Sequence, residues 1–390
     1  MPLVPAAWRD LALVMATATL VGMTFSLAVP LLSLVLEREG VDPFAIGLNT
    51  AAGGLGIFVV APFVDRLVRR LGPVRCIRSA LVVTAGCMLV FPLWVEPVFW
   101  APVRLVFGCA GALLFVLSEA SVNTLAPKGL RGRVLGLYAT LFSLGFAAGP
   151  LLLMLAGSEG VLPFALASAL FLLGLVPAAC LRAVEGRMLP EGHGRLRLLD
   201  TWRIAPVAMA GVFVYALLES AHFALLPVYA LDLGTGERTA AALVAVWLSG
   251  NILFQYPVGW LADRWQRQRV MLVCASLAVA GLLLVPRAAG HVFLLWPLLV
   301  LLGGAMGALY TLPLVLVGER FRGADLTKAN TAFVMTFQLG AIAGPPFTGA
   351  VMDTAGSASF PLALVPPLLV LLAVLLVAGH ARAPASQADP

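Results

Sequence analysis

Apolar residues in this chain neither alternate with polar ones nor recur as a single helical stripe. They continue with little relief for about 20 residues at a time, the length that crosses the hydrocarbon core of a bilayer. Barrel strands would be shorter and would alternate polar with apolar. Twelve such runs can be read, at residues 11–35, 44–64, 76–95, 98–125, 134–156, 160–181, 204–231, 239–261, 270–286, 292–317, 328–352 and 358–379. Inside a bilayer the backbone must satisfy its own polar groups, so each run is predicted to be helical and the chain an all-α integral membrane protein. The first run leads directly into others and lacks a small-residue cleavage pattern, so it is expected to be a retained span.

The polar positions divide these runs. Arg182 to Arg203 is the one long polar interruption, with Arg187, Pro190, Glu191, Gly192, His193, Gly194, Arg195 and Arg197. It predicts a cytoplasmic linker at 183–203 between six-span bundles at 1–182 and 204–390. The bundles read as a duplication. Leu144-Gly145-Phe146-Ala147-Ala148-Gly149-Pro150 recurs as Leu339-Gly340-Ala341-Ile342-Ala343-Gly344-Pro345. Val29-Pro30-Leu31 has a counterpart in Leu226-Pro227-Val228, and Asp65-Arg66 in Asp263-Arg264. With six spans between matched segments the repeats are parallel, and membrane bundles of this kind point to a carrier with a solute site between its halves. The third, sixth, ninth and twelfth runs hold no charged residue, Asn, Gln or His once past their ends. Polar groups avoid lipid, so every third span is expected outside and the other eight around a central cavity.

Composition and charge sharpen the assignment. Of 390 residues, 61% are hydrophobic and 11% charged, against about a quarter charged in soluble chains. The formal charge is +6, but its distribution explains it. With the amino terminus inside, outer loops carry only Arg38, Arg238 and Arg287, and Arg104 lies within a span; every other Lys and Arg falls on the inner side. That asymmetry predicts a multi-pass protein of the cell (inner) membrane with both termini cytoplasmic. It reflects topology and gives no argument for nucleic-acid binding. The five cysteines have no metal-ligand spacing and read as small buried hydrophobes, with no metal site expected.

Gly259-Trp260-Leu261-Ala262-Asp263-Arg264, followed by Arg267 and Arg269, resembles the inner-loop signature of the major facilitator superfamily. The first-half copy, Ala61 to Arg70, departs from it at both glycines, and Gln266 replaces the later glycine of the second. Arg104-Leu105-Val106-Phe107-Gly108 resembles the fourth-span signature of proton-coupled members. Gly145 to Pro150 resembles the fifth-span motif of antiporters without its trailing glycines. The chain looks most similar to the YcaD-like branch, through Arg104 to Glu119, Arg131-Gly132-Arg133, Leu226-Pro227-Val228-Tyr229 and Gly344-Pro345. The resemblance implies twelve helices in two pseudo-symmetric six-helix bundles.

Candidate site residues follow. Glu219 and His222 lie three apart on the seventh span near mid-membrane, and Tyr215 extends the same face. Such a carboxylate can alternate between charged and protonated states as water reaches it, with the imidazole sharing the proton. A static buried Glu–His hydrogen bond that fixes helix packing is the alternative. The resemblance implies that Arg104 could hold an anionic group or influence proton transfer; the alternatives are a structural partner for backbone carbonyls or a side chain that reaches the outer interface. Asn251 and Gln255, four apart on the eighth span, with Tyr310, Gln338, Phe25, Met23 and Trp247, are candidates to line a solute cavity; ordinary packing is the plainer alternative. Asp65, Arg66, Glu119, Arg133, Asp263 and Arg264 form the expected inner gate, a role the resemblance implies for Asp65 and Asp263. Gly145, Gly149, Gly340 and Gly344 would allow close helix approach, and Pro150, Pro345 and Pro346 would bend or hinge the spans.

The expected function is transport of a small organic solute by alternating access, as proton-coupled export. Proton-driven or facilitated uptake is the alternative within the class, and a receptor, scaffold or membrane enzyme the alternative outside it. No nucleotide loop, metal cluster or Ser/His/Asp arrangement points to an enzyme. No cofactor is expected beyond a proton or ion gradient, and the partners are a small molecule and the bilayer, with a monomer sufficient.

Overall fold

A computed structural model describes residues 5–127, 130–181 and 198–380, and these are helical throughout apart from short turns. The spans are Pro5–Arg38, Pro43–Leu71, Pro73–Leu93, Pro97–Leu125, Arg131–Ala156, Leu162–Ala179, Pro206–Asp232, Glu237–Arg264, Arg267–Ala288, Val292–Arg320, Gly323–Ala355 and Ser357–Ala378. Each expected run lies on one of them. Eleven are long and apolar enough to cross a bilayer. The remaining one, Gly323–Ala355, has the length but is less apolar, with Gln338, Thr336, Thr348, Pro345 and Pro346 along it.

Local chemistry sets the helix ends. Asp42 caps the second span by accepting the Ala45 N–H at 2.8 Å, and Pro43 occupies the first turn, where no N–H is needed. Pro62 tightens the chain into a 3-10 turn at Ala61–Phe63, after which Val64–Leu71 continues as a strongly two-faced helix carrying Asp65, Arg66, Arg69 and Arg70. The run expected to stop at residue 64 therefore leaves the apolar layer as a basic surface helix. Of the expected linker, residues 198–203 form most of a short helix, Leu198–Ile204. The rest of it, with Lys128, Arg182, Arg187, Arg195, Arg197 and Arg382, lies outside the described residues.

The chain resolves into two compact units. One contains the first six spans together with Phe223–Ala245; the other contains the Leu198–Ile204 helix, the seventh span as far as His222, and the described chain from Val246 onward. The seventh and eighth spans thus each contribute to both, and the unit boundaries differ from the expected 1–182 and 204–390. In the first unit, the first span packs along the fifth, the second along the fourth, and the third against the fourth and sixth. In the second, the ninth packs against the tenth and twelfth.

The repeat is visible in specific contacts. Gly145 lies against the Thr19 carbonyl, and Gly340 against that of Phe213. Gly149 lies against Met23 and the Ser26 hydroxyl, and Gly344 against Leu217 and the Ser220 hydroxyl. Ser26 donates to the Met23 carbonyl at 3.1 Å and Ser220 to that of Leu217 at 3.2 Å. Only a residue without a side chain permits such backbone approach. This register pairs Ser26 with Ser220, so the match of Pro30 to Pro227 falls out of register with it. Exposure does not single out every third span either. The second and fifth spans are the least buried, the first and seventh the most. A helix beside water is as exposed by area as one beside lipid, so area cannot separate the two environments.

Candidate functional site

The mid-span carboxylate on the seventh helix has found partners, but not the expected one. Tyr215, one turn earlier, donates its hydroxyl to Glu219 Oε1 at 2.6 Å. Asn251 on the eighth span donates its amide to the same Tyr215 oxygen at 2.9 Å. The three form a directed chain, amide to phenol to carboxylate, running between two helices. Gly307 makes this possible, because a Cβ there would meet the Asn251 amide group. Rings close around the tyrosine: Tyr310 from the tenth span at 5.4 Å between centroids and Phe337 from the eleventh at 6.2 Å. Tyr310 and Phe337 meet edge-on at 6.0 Å, and Phe333 touches Tyr310 at 5.6 Å. Glu219, Asn251, Tyr310, Phe337 and Gln338 are all half-buried, so the cluster is reachable at its edge.

His222 does not join this chain. Its Nδ1 lies 2.7 Å from the Leu218 carbonyl, and the ring stacks on Trp247 at 4.8 Å with Phe360 against its edge. The ring is buried, and it makes no hydrogen bond to Glu219. Three-residue spacing put both groups on neighbouring faces, but the i−4 carbonyl and an indole face took the imidazole. The direct proton exchange expected from the pattern is not the arrangement found.

Arg104 is buried and donates Nε to Asn49 Oδ1 at 2.9 Å, while Nη2 has no hydrogen-bond partner. Asn49 in turn donates to the Pro97 carbonyl at 3.3 Å. The alternative in which Arg104 extends to the interface is therefore excluded. Phe25 sits among Phe107, Phe115 and Phe171 at 4.6, 5.5 and 5.5 Å, so packing rather than an open wall occupies its ring. Trp247 is engaged by His222 as described. Gln255 is exposed and makes no hydrogen bond among the described residues, although Asn251 one turn earlier does. Gln338 is likewise without a hydrogen bond among the described residues.

Of the residues expected at the inner gate, Asp65, Arg66, Glu119, Arg133, Asp263 and Arg264 are exposed, and neither aspartate makes an ion pair or hydrogen bond among the described residues. Arg264 instead lies over the Trp260 ring at 3.7 Å, and Arg267 pairs with Glu319 at 2.5 Å. Water solvates these charges well, so single pairs among them gain little from closing. The cysteines are free; Cys180 is exposed, against expectation, while Cys76, Cys87 and Cys274 are buried.

Two features were missed from the sequence. Phe333 and Phe337 read as apolar span residues, with nothing to mark them as ring partners of Tyr310. The second is a clasp in the first unit. Arg38, in the last turn of the first span, donates Nε to Glu237 Oε1 at 2.9 Å and pairs with it again through Nη2. Arg38 also donates to Ser158 Oγ at 2.9 Å, and Ser158 donates to the other Glu237 oxygen. The charge asymmetry placed Arg38 on the outer side, but nothing in a single sequence pairs it with Glu237, 199 positions further on.

The Major Facilitator Superfamily model matches residues 14–203 and 208–389. The chain is 28% identical over 352 residues to the uncharacterized MFS-type transporter YfkF of Bacillus subtilis (strain 168), covering 87% of each chain. It is 24% identical over 383 residues to the uncharacterized MFS-type transporter YcaD of Escherichia coli O139:H28, covering 96% of this chain and 98% of the relative. Among solved structures it is similar in fold to the nucleoside transporter NupG, with TM-score 0.78 at 15% identity over 96% of this chain and 99% of that one. The D-xylose-proton symporter gives TM-score 0.72 at 14% identity, over 95% and 97%.

Proposed function

The chain belongs to the Major Facilitator Superfamily, and we propose that it exports a small organic solute in exchange for protons, with Glu219 as the coupling group. It is a secondary transporter and not an enzyme, in a multi-pass membrane fold. The observation that carries the coupling reading is the Asn251–Tyr215–Glu219 chain. A carboxylate in mid-span that accepts a phenolic hydrogen bond has a defined place for its charge, yet among the described residues it has no basic partner to hold that charge permanently. Protonation removes the charge; deprotonation restores an acceptor that Tyr215 already faces. Such a group changes state with water access, which alternates as the two six-span halves, 1–182 and 204–390, rock against each other. Export is favoured over uptake by the Gly145 to Pro150 motif and by Arg104 in its fourth-span setting. The basic-residue asymmetry supports cytoplasmic termini and residence in the inner membrane.

Reconstitution into proteoliposomes tests this. Uptake of labelled metabolites and hydrophobic cations is followed with and without an imposed pH gradient. Flux driven by the gradient in the wild type, and uncoupled from it in Glu219→Gln, is the expected result. Flux indifferent to the gradient removes proton coupling. A fully coupled Glu219→Gln removes the carboxylate from the mechanism.

A further inference from the structure

We propose that the solute is an organic cation, a protonated or quaternary amine on an apolar body, and that it takes the Glu219 carboxylate in place of the proton. The proposal rests on the reading of Glu219 as the coupling group and adds the class of solute. Its first support is charge balance. Arg9–Asp10, Arg38–Glu237 and Arg267–Glu319 form ion pairs near span ends. Glu219 stands mid-span with none among the described residues. The interiors of the helices around it carry no Lys or Arg: residues 206–232, 239–263, 293–319 and 329–355 contain none. A half-buried negative charge without a counter-charge among the described residues is a place for a cation or a proton and repels an anion.

The second support is the wall. Tyr215, Tyr310 and Phe337 bring three rings from three helices to one point, with Glu219 one turn from the first. Ring faces are electron-rich, so they attract an ammonium group and its adjacent methyl or methylene groups. The third support is the small supply of free polar groups. Tyr215 and Asn251 are bonded to each other, which leaves Gln338 and Gln255 as amides of these spans without a hydrogen bond among the described residues. A hydroxyl-rich neutral solute needs several oriented partners to replace its water, and this cluster does not offer them. The titratable groups near Glu219 are Tyr215, Tyr310 and, a turn on, His222, whose ring is held by the Leu218 carbonyl and Trp247. The eighth and eleventh spans contribute Asn251, Phe337 and Gln338, which do not titrate. One carboxylate cannot hold proton and cation together, so exchange of one for the other follows from a single site.

The test uses the full chain in detergent and ligands matched in shape. Benzyltrimethylammonium is compared with neopentylbenzene, its neutral isostere, and with benzoate; tetraphenylphosphonium and phenethylammonium extend the cation series. Binding is read by quenching of tryptophan fluorescence, and proton release by a pH dye in weakly buffered solution. The expected result is that at least one cation binds, releases a proton, and outcompetes its neutral and anionic counterparts by at least about tenfold, the scale of one charge-assisted contact. Glu219→Gln is expected to abolish the release, and Tyr310→Ala to weaken cation binding severalfold. Equal binding of neopentylbenzene or benzoate overturns the proposal, as does failure of all three cations to bind, or their binding without proton release. If Glu219→Gln does not fold, the wild-type comparison decides alone. Proton-coupled flux lost in Glu219→Gln, combined with no preference for cations, sinks the solute class while leaving the coupling reading intact.

Discussion

Breaking the Arg38–Ser158–Glu237 clasp gives the most calculable perturbation. Glu237→Gln keeps the shape of the side chain and removes its charge. Two bonds from Arg38 lose their anionic acceptor, and the one from Ser158 loses its charge assistance. An exposed ion pair is worth about 0–1 kcal/mol, and a charge-assisted bond in a protected network about 1.5–3 kcal/mol. Here the side chains keep 34% and 26% of their exposure, so solvent screening pulls the figure toward the lower range. We take ~1 kcal/mol. In a 150–250-residue domain that lowers the melting temperature by about 2–4 °C, and in this longer chain by somewhat less. The buried thiols Cys76, Cys87 and Cys274 supply the assay, because a thiol-reactive dye labels them only as the structure opens. Single variants Arg38→Gln and Glu237→Gln, together with the double variant, form a cycle. The double variant is expected to melt little below either single one, a coupling of ~1 kcal/mol. Raising salt to 1 M, where the screening length falls to about 3 Å, should shrink the coupling. Additive losses that ignore salt would show that the clasp is geometry without energy, and the estimate would fail.

Glycine spacing gives a sharp contrast: a Cβ at Gly303 meets the Trp247 carbonyl, whereas one at Gly86 meets nothing within 4 Å. Gly303→Ala is expected to lower thermal stability markedly by separating the eighth and tenth spans, and Gly86→Ala to leave it unchanged or raise it by up to ~1 kcal/mol, both read in the same dye assay. Tyr215→Phe keeps the rings but removes the acceptor of Asn251 and the donor to Glu219, at ~1–3 kcal/mol of stability; melting of this variant equal to wild type would deny the hydrogen-bond chain. Arg104→Met replaces a buried charge that has one side-chain bond and an unpartnered Nη2. Stability is expected to hold or rise while transport falls, and a loss of several degrees would instead assign Arg104 a structural role.

The twelve helices were legible because run length and lipid chemistry leave few alternatives. The glycine contacts were legible because close backbone approach needs a residue that the repeated string displays twice. Partner choice within the site was not. Glu219, Tyr215 and Asn251 were each visible as polar residues on interior faces, but rotamers decide which neighbours meet. Helical spacing favoured His222 over Tyr215 no more than the reverse, and competition from the Leu218 carbonyl and the Trp247 ring is a matter of three-dimensional packing. The inner charges illustrate the opposite failure. The motif around Asp263 and Arg264 is plain in the sequence, yet a motif states which residues can pair, not which pairs are closed in one conformation.

The duplication also argues for how many coupling sites the chain has. Ser26 and Ser220 occupy equivalent places beneath Gly149 and Gly344, so the residues before them, Phe25 and Glu219, are equivalents. In the first half that position carries a ring packed among three others; in the second it carries the carboxylate. Tyr215 has Val21 as its counterpart, a buried apolar side chain. The tenth span, counterpart of the fourth, has no arginine in its interior where the fourth has Arg104. One scaffold was therefore kept twice while the chemistry diverged, the acid going to one half and the base to the other. On the proposal that Glu219 is the coupling group, a carrier built this way loads one mid-span carboxylate in each cycle. Its coupling ratio should be one proton per turnover, and a second translocated proton would require a titrating group that the first half does not provide at the matching place.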